Sequence, residues 1–153
     1  MAFLNDIPAR TRAHVVDLSC PTIDETAFVD GPPLSERRVA VITSAAVHGR
    51  DAPRFLGGST EFRPISNTID RSDVLMSHIS VNFDRTGFQQ DINVVLPIDR
   101  LTELAERKVI GSVAATHYSC MGSTDPAMME VEAAQVAGLL KADRVDAVLL
   151  VPV

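Results

Sequence analysis

The chain has 153 residues, 46% of them hydrophobic, and 14 Lys and Arg against 20 Asp and Glu give a formal net charge of −6. That length supports one domain with a real core, burying roughly 68–70% of the surface its unfolded chain exposes. No run approaches the ~18 apolar residues that span a bilayer, and an acidic chain with no basic stripe argues against non-specific binding to nucleic-acid phosphates.

The first residues, Met1-Ala2-Phe3-Leu4-Asn5-Asp6, show no basic segment followed by an apolar one, so no secretion signal is read. Cys20 and Cys120 lie far apart and outside any Cys-x-x-Cys pair. Both observations point to a thiol-reduced, cytoplasmic protein. Residues 1–37 read as an arm, carrying Pro8, Pro21, Gly31, Pro32 and Pro33 and closing on the charged Glu36-Arg37-Arg38. Asp30-Gly31-Pro32-Pro33 has the dihedral preferences of a turn or extended connector. The domain is expected over 38–153.

Val39-Ala40-Val41-Ile42-Thr43 predicts a buried first strand that leaves through the small residues Ser44-Ala45-Ala46 to His48. Gly57-Gly58 breaks the chain, and Glu61 to Ser66 alternates polar and apolar residues, with Pro64 placing that strand at a sheet edge. Asp73 to His78 fits either a short helix or a strand. Pro97 to Arg107 predicts a helix from its apolar residues at 98, 101, 104 and 105. Val109 to Thr116 predicts a strand running into His117-Tyr118-Ser119-Cys120-Met121-Gly122. Asp125 reads as an N-cap with Pro126 at the first helical position, and a helix to about Lys141 sets Met129, Ala133, Val136, Ala137 and Leu140 along one side. The closing run Val145 to Val153 is apolar enough for a strand buried on both faces. Strand, helix, strand at this spacing makes a right-handed parallel crossover the default. The expected class is α/β: three layers around a mostly parallel, Rossmann- or flavodoxin-like sheet, incomplete at its C-terminal end.

Ligands of such sheets bind beyond the carboxyl ends of the strands, and three histidines fall near expected strand exits: His48, His78 and His117. A shared crevice is the expectation, although each alone is more often a hydrogen-bonded loop residue. With Asp51 or Asp84 the same histidines form an alternative metal site, but no His-x-x-x-His spacing fixes two ligands on one element. Asp91, Asn93, Asp99 and Arg100 cluster around an apolar run. Asp99 suits the helix dipole, whereas Asp91 and Asn93 remain open as binders of a polar substrate. Cys120, three residues after His117, needs a nearby base to become a nucleophile, and inert burial is the commoner fate of such a cysteine. There is no Gly-x-Gly-x-x-Gly cradle and no phosphate-loop lysine, so a dinucleotide enzyme is not expected.

Together these segments resemble the selenoprotein B family of glycine, sarcosine, betaine and D-proline reductases, most closely the selenocysteine-bearing subunit of D-proline reductase. The resemblance is carried by Val39 to His48, by Met76-Ser77-His78 with Asp84, and by Asp91-Ile92-Asn93 leading to Pro97-Ile98-Asp99-Arg100-Leu101. It continues through Glu103-Leu104, His117, Met121-Gly122 and Val145 to Leu150. It runs from about residue 38 to the end, and the Asp91 to Leu101 block is its most specific part.

In that family the last of these strands is followed within a few residues by selenocysteine, often as selenocysteine-x-x-cysteine, and then by further helix. The resemblance implies that this chain stops at or just before that position, as the product of a UGA read as stop, and is inactive in this form. A native short paralogue is the competing account. The implied enzyme is an oxidoreductase that cleaves a C–N bond of an amino acid or related amine. A selenolate attacks the α-carbon, and the bond to selenium is then reduced by a thiol donor. The amine is activated by a pyruvoyl group on a partner subunit, so homo- or hetero-oligomers are implied. Carried onto this chain, His48, His78 and His117 become proton donors or substrate holders, and Asp84, Asp91 and Asn93 secondary substrate binders. No metal and no resident cofactor is implied for the chain itself. The alternatives are a catalytically silent or racemase-like α/β binding subunit. The racemase reading needs two opposed thiols, and Cys120 supplies at most one.

Overall fold

The computed structural model describes residues 4–17, 22, 26–80 and 85–153. Cys20, Asn82 and Asp84, singled out above, lie outside those residues. The centre of the molecule is β1 (Arg38–Thr43), whose Val39, Ala40 and Val41 are all buried. On one side it pairs in parallel with β7 (Ala147–Val151), in a register running from Val39↔Ala147 to Thr43↔Val151. Its other side is shared: β5 (Ser112–Val113) pairs with its beginning and β6 (Thr116–Ser119) with its end, both in parallel. The antiparallel β3 (Arg63–Ser66) closes that side against β6. A separate two-stranded antiparallel sheet is formed by β2 (Val47–Gly49) and β4 (Val74–Met76). The protein is thus a mixed α/β fold with a mostly parallel sheet.

Between β5 and β6 the chain carries a bulge. From Val39↔Val113 to Ile42↔Tyr118 the sheet advances three residues on β1 but five on its neighbour. The two extra residues break the ladder, and the freed groups find partners elsewhere. Ala115 N donates to Asp143 Oδ2 at 3.0 Å, and Asn67 N donates to the Ala115 carbonyl at 2.9 Å. The Val41 amide, which the bulge deprives of a carbonyl, donates at 3.0 Å to Nδ1 of His117. A side chain stands in for the missing backbone acceptor.

The described residues also form four α-helices, α1 (Ala9–Val16), α2 (Thr86–Gln90), α3 (Ile98–Glu106) and α4 (Glu130–Ala142). The alternation of β1 assigns α3 and α4 to different clusters. Ile98 and Leu101 of α3 pack with Val39 and Val41, whereas Val136 and Leu140 of α4 pack with Ala40, Ala114 and Tyr118. Full burial of a side chain such as Ile98 is worth roughly 1.5–3 kcal/mol. Both helices end in the same device. Lys108 (φ 58°) and Arg144 (φ 55°) adopt the left-handed conformation usually given to glycine. Around them Lys108 N donates to Ala105 O and Val109 N to Leu104 O, while Arg144 N donates to Lys141 O and Val145 N to Leu140 O, all at 2.9–3.0 Å.

Several expectations are met: the strand expected at 39–43 is β1, the edge strand carrying Pro64 is β3, the helix expected over 97–107 is α3, and a parallel β7 is reached through α4. Others are corrected. Val109, Ile110 and Gly111 belong to the turn closing α3, so the strand there starts only at Ser112. Asp73 to His78 resolves into the end of a 3-10 turn followed by β4. α1 forms inside the arm, where Ala9 to Val16 shows no apolar stripe to announce it. Ala133 and Ala137 are exposed, so α4 buries a narrower face than its spacing suggests. β7, expected to be covered on both faces, is an edge strand: Val148 and Leu149 are each 40% exposed and Leu150 68%.

Candidate functional site

The carboxyl ends of β1, β6 and β7 meet at Ser44. Along the β1–β7 ladder the register is regular from Val39↔Ala147 to Thr43↔Val151, and Ser44 N donates to Val151 O at 3.1 Å. The next bond in that pattern would run from Val153 N to Ser44 O. That carbonyl is already taken, because β1 turns away and Gly122 N donates to it at 3.0 Å. The hydroxyl of the same residue replaces it, and Val153 N donates to Ser44 Oγ at 2.8 Å. Gly122 is required by closeness. A Cβ there would lie 2.8 Å from Ser44 O and 2.9 Å from Ser44 Oγ. Two residues further on, the buried Ala46 has φ 52°, a left-handed conformation held by Ala46 N to Cys120 O at 2.9 Å and Ser77 N to Ala46 O at 3.0 Å. Strain of this kind costs on the order of 1–3 kcal/mol and persists where surrounding bonds over-determine it.

Beside this corner opens a cavity of about 370 Å³, walled by Ile42, Phe62, Met129, Leu150 and Pro152, with Ser44 and Cys120 as its polar members. It lies at the carboxyl ends of parallel strands, where such sheets bind ligands. The Cys120 thiol donates to Thr43 O at 3.7 Å, and burial pushes its pKa up to about 11. At neutral pH it is an un-ionised thiol. A larger cavity, about 600 Å³, lies elsewhere, between Ala27, Phe28 and Val29 and the sides of α4 and β7. It touches no strand end on the carboxyl side except Leu150, and the smaller cavity is the better candidate for chemistry.

The three histidines are placed separately. His117 belongs to β6 itself rather than to a loop after it, and is fully buried. Because its Nδ1 accepts from Val41 N, the ring proton sits on Nε2, 3.4 Å from Asn67 Oδ1. Burial first, and Arg71 second, lower its pKa to about 4. His48 lies in β2, with its ring edge-on to Phe55 (centroids 6.3 Å apart) and Nδ1 2.8 Å from Gly49 O. His78 follows β4. Its Nδ1 accepts from Ser80 N at 3.1 Å, Arg85 donates to its carbonyl at 2.7 Å, and burial with Arg85 lowers its pKa. In the β2–β4 register His48 faces Leu75, so His78 lies three residues along, roughly 10 Å away at strand spacing. Among the described residues no group of three His, Cys, Asp or Glu could hold a metal ion, which removes support for the His-based metal alternative there.

Asp91 and Asn93 join Asp99 and Arg71 in one network that begins α3. Asp91 Oδ1 accepts from Asn93 N and Nδ2, both at 2.9 Å. Asn93 in turn accepts from Asp99 N at 3.1 Å and donates to Asp99 Oδ2 at 3.0 Å. Arg71 Nη2 donates to Asp99 Oδ1 at 2.8 Å. Hydrogen bonds from Asn93 hold Asp91 below its ordinary range, and those from Arg71 and Asn93 do the same for Asp99. Pro97, the residue before α3, offers no cap, and Asn93 supplies it from four residues upstream. The network borders a cavity of about 500 Å³ that shares no residue with the one at Ser44.

Sequence reasoning named Ser44 only as part of a small-residue exit and passed over Phe62 and Met129 as site residues. A hydroxyl directly after a buried parallel strand was the available signal for Ser44. Phe62 reaches the cavity from the segment before β3, a tertiary placement that no local pattern carries. The profile of the family described as glycine/sarcosine/betaine reductase selenoprotein B matches residues 11–153 of this chain. No protein of curated function and no solved structure matches it.

Proposed function

Because the chain belongs to the glycine/sarcosine/betaine reductase selenoprotein B family, we propose that it forms part of a selenocysteine-dependent reductase subunit cleaving a C–N bond of a small amino acid or amine. The observation that carries this reading is the family match together with a strand-end cavity whose rim is Val151, Pro152 and Ser44. The reading puts the selenocysteine shortly after Val153, on a segment completing the three-layer sheet, and makes the 153-residue form inactive. A pyruvoyl-bearing partner subunit and a thiol donor complete the system.

A selenol supplies a group that is anionic at neutral pH and so acts as a standing nucleophile. The residues present suit such a neighbour. Ser44 holds the strand end from which it would depart, and Ile42, Phe62, Met129, Leu150 and Pro152 give the cavity an apolar wall. Cys120, held as a thiol, does not compete as a nucleophile. The His78 Nδ1 accepts from Ser80 N, which leaves its ring proton on Nε2, so it is suited to donate a hydrogen bond there rather than to accept a proton. His48 is the remaining candidate for holding substrate. His117 is committed to Val41, and a catalytic role would require that bond to break.

The test is to express the complete reading frame in a selenocysteine-inserting host, combine it with its partner subunit, and follow release of amine or ring-opened product from D-proline, glycine, sarcosine and betaine under a dithiol. Turnover of one of them, absent from the 153-residue chain, is expected. No turnover of any by a selenium-loaded protein would leave the silent-subunit reading in its place. No helix among the described residues is long and apolar enough to cross a membrane.

A further inference from the structure

We propose that Ser44 is a positioning residue, whose hydroxyl sets the direction in which the chain leaves β7 over the cavity. The inference rests on the reading above that the reacting residue follows Val153. Its geometry stands independently.

Everything at this corner passes through one residue. The Ser44 amide donates to Val151 O at 3.1 Å and completes the regular ladder. Its carbonyl, which the ladder would offer to Val153, has turned with the chain toward Ala45 and is held by Gly122 N at 3.0 Å. The hydroxyl fills the vacated position, accepting from Val153 N at 2.8 Å, and lies 3.5 Å from Val153 O. Three strand ends, those of β1, β6 and β7, are therefore tied at one residue. Pro152 narrows the available backbone further, because its ring fixes φ and removes its own donor. With Val151 bonded on one side and Val153 on the other, the cavity-lining Val151 and Pro152 have little freedom left.

This is the arrangement a nucleophile at the next positions requires. Misplacement of a reacting atom by about 1 Å costs on the order of 10²-fold in rate. The hydroxyl acts through the Val153 amide it holds, so the proposal puts its effect on turnover rather than on substrate binding. Gly122 belongs to the same device, since a methyl group there would occupy the space of Ser44 Oγ, 2.9 Å away.

The experiment has two arms. In the 153-residue protein, amide hydrogen exchange followed by NMR compares the native chain with Ser44→Ala and Ser44→Thr. Exchange of Val153 is expected to quicken at least tenfold in Ser44→Ala and to recover in Ser44→Thr, with Val41 unchanged in both. Unaltered Val153 exchange in Ser44→Ala overturns the proposal. In the selenium-loaded full-length protein, Ser44→Ala is expected to lower kcat at least tenfold with KM within twofold, and Ser44→Thr to restore it. If the native full-length protein turns over and Ser44→Ala matches it, the positioning role is wrong. If the native protein itself shows no turnover, the functional reading has failed, and the exchange arm still decides whether Ser44 holds the strand end.

Discussion

The centre of the sheet and its carboxyl rim solve one problem with two different side chains. At the centre, a two-residue bulge strips Val41 N of its carbonyl, and the His117 imidazole takes its place at 3.0 Å. At the rim, a turning chain strips Val153 N of its carbonyl, and the Ser44 hydroxyl takes its place at 2.8 Å. The first acceptor is wholly buried and the second only partly so. The energetic consequences differ accordingly. A buried donor left without a partner costs about 1–3 kcal/mol, whereas one near solvent recovers much of that from water. The same substitution chemistry therefore acts on stability at the centre and on geometry at the rim.

The contrast breaks first, and most visibly, at His117. His117→Ala orphans Val41 N and opens a cavity, and a loss of about 3 kcal/mol in unfolding free energy is expected from urea titration at pH 7. The titration of this residue sharpens the point. Its folded pKa, lowered to about 4 from 6.5, means the unfolded chain binds the proton more readily than the folded one. Its contribution is therefore present above pH 6.5 and is lost as pH falls toward 4, at up to about 1.4 kcal/mol per pH unit. Urea midpoints measured from pH 7 to 4.5 should show that limb in the native protein and a flatter one in His117→Ala.

Gly122→Ala comes next. Its methyl group would press on Ser44, and a cost of about 1–3 kcal/mol is expected. The companion Ser44→Ala should lose less than about 1 kcal/mol while releasing the Val153 amide. Equal losses in Ser44→Ala and His117→Ala would erase the distinction between rim and centre. The left-handed helix ends offer an opposite sign. Arg144→Gly and Lys108→Gly remove a side chain from a conformation that disfavours it, and each should raise stability by about 1 kcal/mol, read as a higher Tm. The smallest effect concerns the outer face of β7. Leu150, 68% exposed beside the half-exposed Val148 and Leu149, should promote self-association, and Leu150→Lys should weaken it in concentration-dependent light scattering.

Much of the sheet was legible because its signals are local. The apolar run at 39–43, Pro64 in an alternating segment, and the Asp125-Pro126 start before α4 each carry their own physics within a few residues. The Asp125 side chain does accept from Ala127 N, at 3.0 Å. The bulge at Ala114 and Ala115 was not legible, because two surplus residues in a strand change no apolar pattern. It turned His117 from a strand-exit residue into an acceptor inside the sheet. Asn93 was open between binding and structure for a similar reason: whether it caps α3 depends on the chain bending back between Val94 and Pro97. Ser44 could be seen as a small exit residue, but its part at the rim emerges only once β7 is set beside β1.

The proposal that this member of the selenoprotein B family leads up to a selenocysteine is tested most directly by sequencing the encoding gene through and beyond the codon after Val153. The account predicts an in-frame UGA at or within a few codons of that point, followed by an open frame encoding cysteine and further helix. An ordinary stop codon with no downstream frame would contradict it, and would leave the cavity beside Ser44 and Cys120 as a binding site without a nucleophile.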